Sequence, residues 1–356
     1  MLMIVFHHFA VHGGFKWETP SVTIPYLWYN FIVMGGKIGV NIFVLISGYF
    51  LITSQGTLLN LKKIVKFWGQ ISFYSISIFT IFSLFQVDNY GIKMFIKSVF
   101  PITFSSWWFA STYFVMYIIH PFLNMFLNAL SKKNYQLFLV MLVIMWSVIP
   151  TFMGSDFQSN SLCWFVTLYA IAGYARLYGF NQAYTTKRYF AFGGTFSVLT
   201  YLSSVVFTIL GTRWSIFFKN ATYFYDMQKL SVLLISLTLF MAFATLKMSY
   251  HKLINTLAAA TFGVYLIHDN SIVRPFLWHD VFQNFQYQNS LFLIPYSIIV
   301  VALVYVVCTV IDLIRQKFLE SPFMFIVNRY ADVMLKPFAR ICELFRTIVF
   351  GNIVND

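Results

Sequence analysis

Residues 31–52, FIVMGGKIGVNIFVLISGYFLI, carry a single charged side chain, Lys37, in 22 positions. At 1.5 Å of rise per helical residue the stretch covers about 33 Å, enough to cross a hydrocarbon core of about 30 Å. Within it Gly35 and Gly39 form a small-xxx-small pair that lets a neighbouring helix approach closely. The rest of the chain has the same character. Of its 356 residues 59% are hydrophobic and 10% charged, with a mean hydropathy of +0.73, whereas soluble domains carry about 25% charged residues. Aromatics reach 21%, with 43 Phe, which suits lipid-facing surfaces and interfacial belts. The fold class is therefore an all-α, polytopic membrane bundle.

Working outward, the periodicity and hydropathy predict about ten spans. The first, residues 1–12, is short, at about 18 Å. The second is Phe31–Ile52, followed by Phe67–Phe85, Trp107–Leu127, Gln136–Ile149, Ser161–Tyr178, Tyr189–Leu210, Gln228–Leu246, Ile254–Ile272 and Ser290–Ile314. These give a transmembrane domain over 1–320 and a basic tail over 321–356, read as amphipathic helix on the inner leaflet. Ser321 and Pro322 suggest an N-cap and N1 proline opening that tail. Charge tests the count. Loops after the even spans and the tail hold Lys62, Lys63, Lys66, Lys132, Lys133, Arg176, Lys187, Arg188, Lys247, Lys252, Arg315, Lys317, Arg329, Lys336, Arg340 and Arg346. The opposite side keeps Lys16, Lys37, Lys93, Lys97, Arg213, Lys219, Lys229 and Arg274. The positive-inside rule then places both termini in the cytoplasm.

Polar residues inside the spans are few, and each is a functional candidate because burying it is costly. His7 and His8 end the first apolar run. Asn41 and Ser47 in span two are expected to face a polar cavity. Tyr113 and Tyr117 share a face of span four, and Tyr265, His268 and Asp269 close span nine. His12 follows His8 by one turn, but without the glutamate of an H-E-x-x-H site no metal is expected. His120, beside Pro121, reads as structural, and His251 and His279 as loop residues. Cys163, Cys308 and Cys342 form no C-x-x-C pair, which argues against a disulfide framework or thiolate metal site. The net charge of +13 reports topology, since no nucleic-acid-binding motif accompanies it.

Taken together, His8 in an N-terminal apolar run, GVNIFVLISGYF at 39–50 and FGVYLIHDN at 262–270 resemble the membrane acyltransferase-3 family, polytopic O-acyltransferases of bacterial surface polysaccharides. WWFASTYFVMYIIHPFLN at 107–124 is similar to that family's fourth span, and Glu320-Ser321-Pro322 to its exit from the last span. The resemblance implies transfer of an acyl group, most simply acetyl, from cytoplasmic acyl-CoA (acetyl-CoA). The acceptor would be a hydroxyl of a glycan or lipid-linked sugar beyond the membrane. It also implies a bacterial cytoplasmic membrane, with membrane lipids as neighbours and no nucleic acid. His8 matches the family's essential histidine, a general base for a hydroxyl that is otherwise a poor nucleophile. An acyl-imidazole intermediate is the alternative route. Asn41, Ser47 and Tyr113 are candidate oxyanion donors, and His268 a second polar group near the acceptor. Lys62, Lys63, Lys66, Arg176, Lys187 and Arg188 are candidates for the CoA phosphates, a placement that topology explains equally well. The family's basic residue some eleven positions before the histidine would fall ahead of Met1. That, with the short first span, suggests a start assigned too late, or else an inactive truncated acyltransferase. A transporter, flippase or glycan polymerase is the other class with many spans. It would more often show broken helices or repeated halves, and neither is evident.

Overall fold

The computed structural model describes residues 1–20, 22–54, 60–85, 91–180 and 183–350, with side chains described for only part of 331–350. Among these residues the chain is helical without strands. Its helices are α1 (Leu2–Val11), α2 (Ile24–Leu51), α3 (Leu61–Leu84), α4 (Ile92–Val99) and α5 (Trp108–Ala129). They continue as α6 (Lys132–Met153), α7 (Ser161–Tyr178), α8 (Thr186–Gly211), α9 (Ser215–Lys219), α10 (Leu230–Thr245), α11 (Lys252–His268) and α12 (Leu293–Arg315). A final helix, α13 (Ser321–Phe350), completes the chain. Each expected span overlaps a helix, but fewer than ten of these helices have the length and hydropathy of a span. Seven helical stretches are long and apolar enough to cross a membrane; α1 is a shorter apolar helix of 10 residues. The short α4 and α9 fall where loops were expected.

Local chemistry sets the helix ends. Asn60, Ser131, Asn160 and Thr185 each cap a helix by accepting the backbone N–H three residues on. Gly154 ends α6 in the left-handed region, at φ +67°, where a Cβ would be strained. Pro121 sits inside α5 and offers no N–H to the Tyr117 carbonyl four residues back. The His120 ring donates to that carbonyl instead.

Glycine decides the closest crossing. A Cβ on Gly36 would lie 2.2 Å from the His7 ring and one on Gly39 2.9 Å from Ile4, so α1 can lie against α2 only because these positions are bare. Gly48 does the same for α7, where a Cβ would come 2.9 Å from the Tyr169 backbone. Gly263 lets α11 pass α12 at Asp312, whose Cγ would otherwise be 2.1 Å away.

One expectation is corrected. Ser321 and Pro322 do not start a separate helix. Ser321 is itself helical (φ −60°, ψ −50°), and α12 runs through a π-helical turn, Gln316–Glu320, into α13. The wider turn accommodates a residue that has no N–H to give. The same turn is tied down by charge. Arg315 Nε meets Asp312 Oδ1 at 2.8 Å and its Nη1 meets Glu320 Oε2 at 2.8 Å, while Lys66 Nζ reaches Glu320 Oε1 at 2.6 Å. Tyr74 donates to Asp312 at 2.7 Å. Every charged member has a partner, as burial requires.

Candidate active site

The helix period places His8 and His12 on one face of α1, one turn apart, with ring centroids 5.2 Å from each other. The last turns of α11 bring Tyr265, His268 and Asp269 against that face. His8 Nδ1 lies 2.9 Å from His268 Nε2, and His268 Nδ1 lies 2.5 Å from the Val264 carbonyl. Both histidines are buried, His268 completely. Asp269 Oδ1 gathers three cationic or potentially cationic groups: Arg274 Nε at 2.9 Å, His8 Nδ1 at 3.5 Å and His12 Nε2 at 3.5 Å. Arg274 Nε also donates to the Asp269 carbonyl at 2.9 Å.

This chain of contacts fixes the tautomers. A carbonyl can only accept, so His268 Nδ1 carries the hydrogen and its Nε2 is the acceptor. His8 Nδ1 must therefore donate to His268, which leaves His8 Nε2 with a free lone pair. Asp269 stands where an imidazolium on His8 would need a counter-charge. The arrangement can take a proton and hold the positive charge that results.

Two spaces touch His8. One, of about 210 Å³, is lined by His7, His8, His12, Lys37, Trp108, Asp269 and Arg274 together with small and aliphatic residues. The other is a narrow apolar crevice beside Met1, Ile4, Phe43, Phe109 and Tyr265. The Tyr265 ring centroid is 6.4 Å from that of His8, and its buried hydroxyl faces the Asp269 carboxylate and the Phe109 backbone without a well-formed hydrogen bond to either. A larger cavity, about 740 Å³, opens at the far end of α2 and α5, with Asn60, Lys63, His120, Asn124 and Asn128 in its wall.

The other candidates fall elsewhere. Asn41 is fully buried in the core; its amide donates to Met227 O at 2.9 Å and accepts from Trp164 Nε1 at 3.0 Å. Ser47 donates to Phe43 O and accepts from the Tyr113 hydroxyl at 2.9 Å, a pair closed on itself between α2 and α5. None of the three lines the spaces that touch His8. Among the basic candidates, Lys63 lines the large cavity and Lys66 is paired with Glu320. Arg176 lies over the Tyr49 ring, Arg188 bonds the Ala183 carbonyl, and Lys62 and Lys187 are exposed. Asp269 and Tyr265 were visible as polar residues of the ninth span. Lys37, Trp108 and Arg274 were not singled out, since only the packing of α1 and α2 against the turn after α11 brings them to His8.

His8, His12 and Asp269 could also hold a metal ion, their ligand atoms lying within 4.8 Å of one another. The donor set fits poorly. Arg274 already occupies Asp269, and His8 Nδ1 is directed to His268.

The fold and this cluster define a helical membrane protein with a buried histidine pair backed by a carboxylate. A family model described as an acyltransferase domain matches residues 1–312, so the chain belongs to the acyltransferase-3 family. No curated protein and no solved structure matches it.

Proposed function

We propose that the protein is an O-acyltransferase of the cell membrane that moves an acyl group, most simply acetyl, from acyl-CoA to a hydroxyl of an envelope glycan. The observation that carries this is the hydrogen-bonded series His8–His268–Val264, which leaves His8 Nε2 as the base. That nitrogen takes the hydroxyl proton as the sugar oxygen attacks the thioester carbonyl carbon. The C–O bond forms, the tetrahedral intermediate collapses with cleavage of C–S, and His8 returns the proton to the departing thiolate. Each proton and electron pair is thus accounted for without an acyl-histidine. Asp269 holds the transient imidazolium. The donor for the oxyanion is Tyr265, whose hydroxyl is held by no well-formed hydrogen bond, whereas Asn41, Ser47 and Tyr113 are committed elsewhere.

In this reading ten helical segments cross the membrane with both termini cytoplasmic, and the large cavity at Lys63 takes the polar part of the donor. Val40 lines the space at His8 and Leu51 the large cavity. Eleven residues of α2 separate them, about 16 Å at 1.5 Å per residue, a distance for an extended thioester arm to bridge. The test is the acyl content of surface glycan, with acyl-CoA consumption by the purified protein, in His8→Ala against wild type. Loss of both is expected; acylation at the wild-type level would overturn the assignment.

A further inference from the structure

We infer that the space at His8 binds an anionic group, a carboxylate or phosphate carried by one of the two substrates, with Lys37 as its anchor. The inference rests on the acyl-transfer reading and extends it to the charge of the substrate. Lys37 stands midway along α2, in a stretch that reads as a membrane span, and lines the 210 Å³ cavity. Among the described residues it has no ion-pair partner; its ammonium lies 4.9 Å from the centroid of the Trp108 ring. The cavity's one carboxylate, Asp269, is already bound by Arg274 and faced by His8 and His12. Within the lining two permanent cations face one anion; Asp226, outside the lining, attracts Lys37 without forming an ion pair with it. Holding an ion in such a place is costly unless a partner arrives, and intramembrane charges facing a cavity mark ligand pathways. Arg274 adds direction. Its Nε is used by Asp269, while its terminal nitrogens make no hydrogen bond among the described residues and form a fork suited to a carboxylate or phosphate.

The anion has two possible carriers, an acidic sugar or a dicarboxylic acyl chain. Four probes separate them: glucose 6-phosphate against glucose, and succinyl-CoA against acetyl-CoA, each titrated by thermal shift on the full chain in detergent. The charged member of at least one pair should bind about tenfold tighter, and the pair that does names the carrier. Lys37→Gln should remove the difference, Lys37→Arg retain it, and Lys219→Gln, on an exposed lysine outside the cavity, have no effect on it. Equal binding within both pairs, or a difference that survives Lys37→Gln, overturns the inference. His8→Ala keeps the two readings apart: it should abolish transfer and preserve the binding difference. Transfer that survives His8→Ala overturns the catalytic reading alone.

Discussion

At the scale of single residues the site turns on which groups give and take a proton, and two substitutions read it out. Tyr265→Phe removes a hydroxyl that makes no well-formed hydrogen bond, so the melting temperature should change little, while kcat for acyl transfer falls by about 10²–10³, the usual effect of losing one oxyanion donor. A purely structural tyrosine would show neither the fall nor the split between stability and rate. For His268→Phe an aromatic ring is kept but the acceptor is lost, freeing His8 to hold either tautomer. Its kcat should drop by about 10²–10⁴, the range for general-base catalysis, with KM for acyl-CoA moving much less; an unchanged kcat would remove His268 from the mechanism. His8 and His268 were both legible as polar residues in apolar helices, and the family resemblance singled out His8. Their partnership was not legible, because 260 residues separate them. Asn41 shows the converse. Its polarity in an apolar helix drew attention, yet both ends of its amide serve the packing of α2 against α7 and the segment before α10.

At the scale of elements, glycines set how near the helices come. Gly36→Ala and Gly48→Ala each place a Cβ within 3 Å of a ring or a backbone, and overpacking of this kind costs about 1–3 kcal/mol. Gly194→Ala should behave oppositely. Nothing lies within 4 Å of its Cβ, and alanine is the better helix former by up to about 1 kcal/mol. Thermal unfolding in detergent checks all three, and equal effects would mean that close helix approach is not what these positions provide. The small-xxx-small pair was readable before the fold because its signal is local. The π-helical turn at Gln316–Glu320 was not. Its Ser-Pro sequence is that of a helix start, and only the Asp312–Arg315–Glu320–Lys66 pairing across α3 and α12 shows why the helix continues. Asp312→Ala leaves Arg315 buried beside only one carboxylate and should cost about 3–5 kcal/mol, the usual effect of breaking a buried pair.

At the scale of the whole molecule the expected orientation puts Lys133 in the cytoplasm and Lys219 outside. In a chain with Cys163, Cys308 and Cys342 replaced by serine, Lys219→Cys should react with an impermeant maleimide in intact cells. Lys133→Cys should react only after permeabilisation, and the reverse pattern would invert the topology. What the sequence determined by itself is the class of architecture, an all-helical membrane bundle: apolar runs of helical length and small-residue spacing are local properties. Each acts on its own helix or loop through the cost of leaving polar groups in hydrocarbon. What only the tertiary structure decided is the chemistry. Which histidine nitrogen is free, which hydroxyl stands beside it and which lysine faces a cavity are properties of side chains brought together from α1, α2, α5 and α11. Hydrogen-bond direction and charge balance act over a few ångströms in space, and the order of residues along the chain does not record such distances.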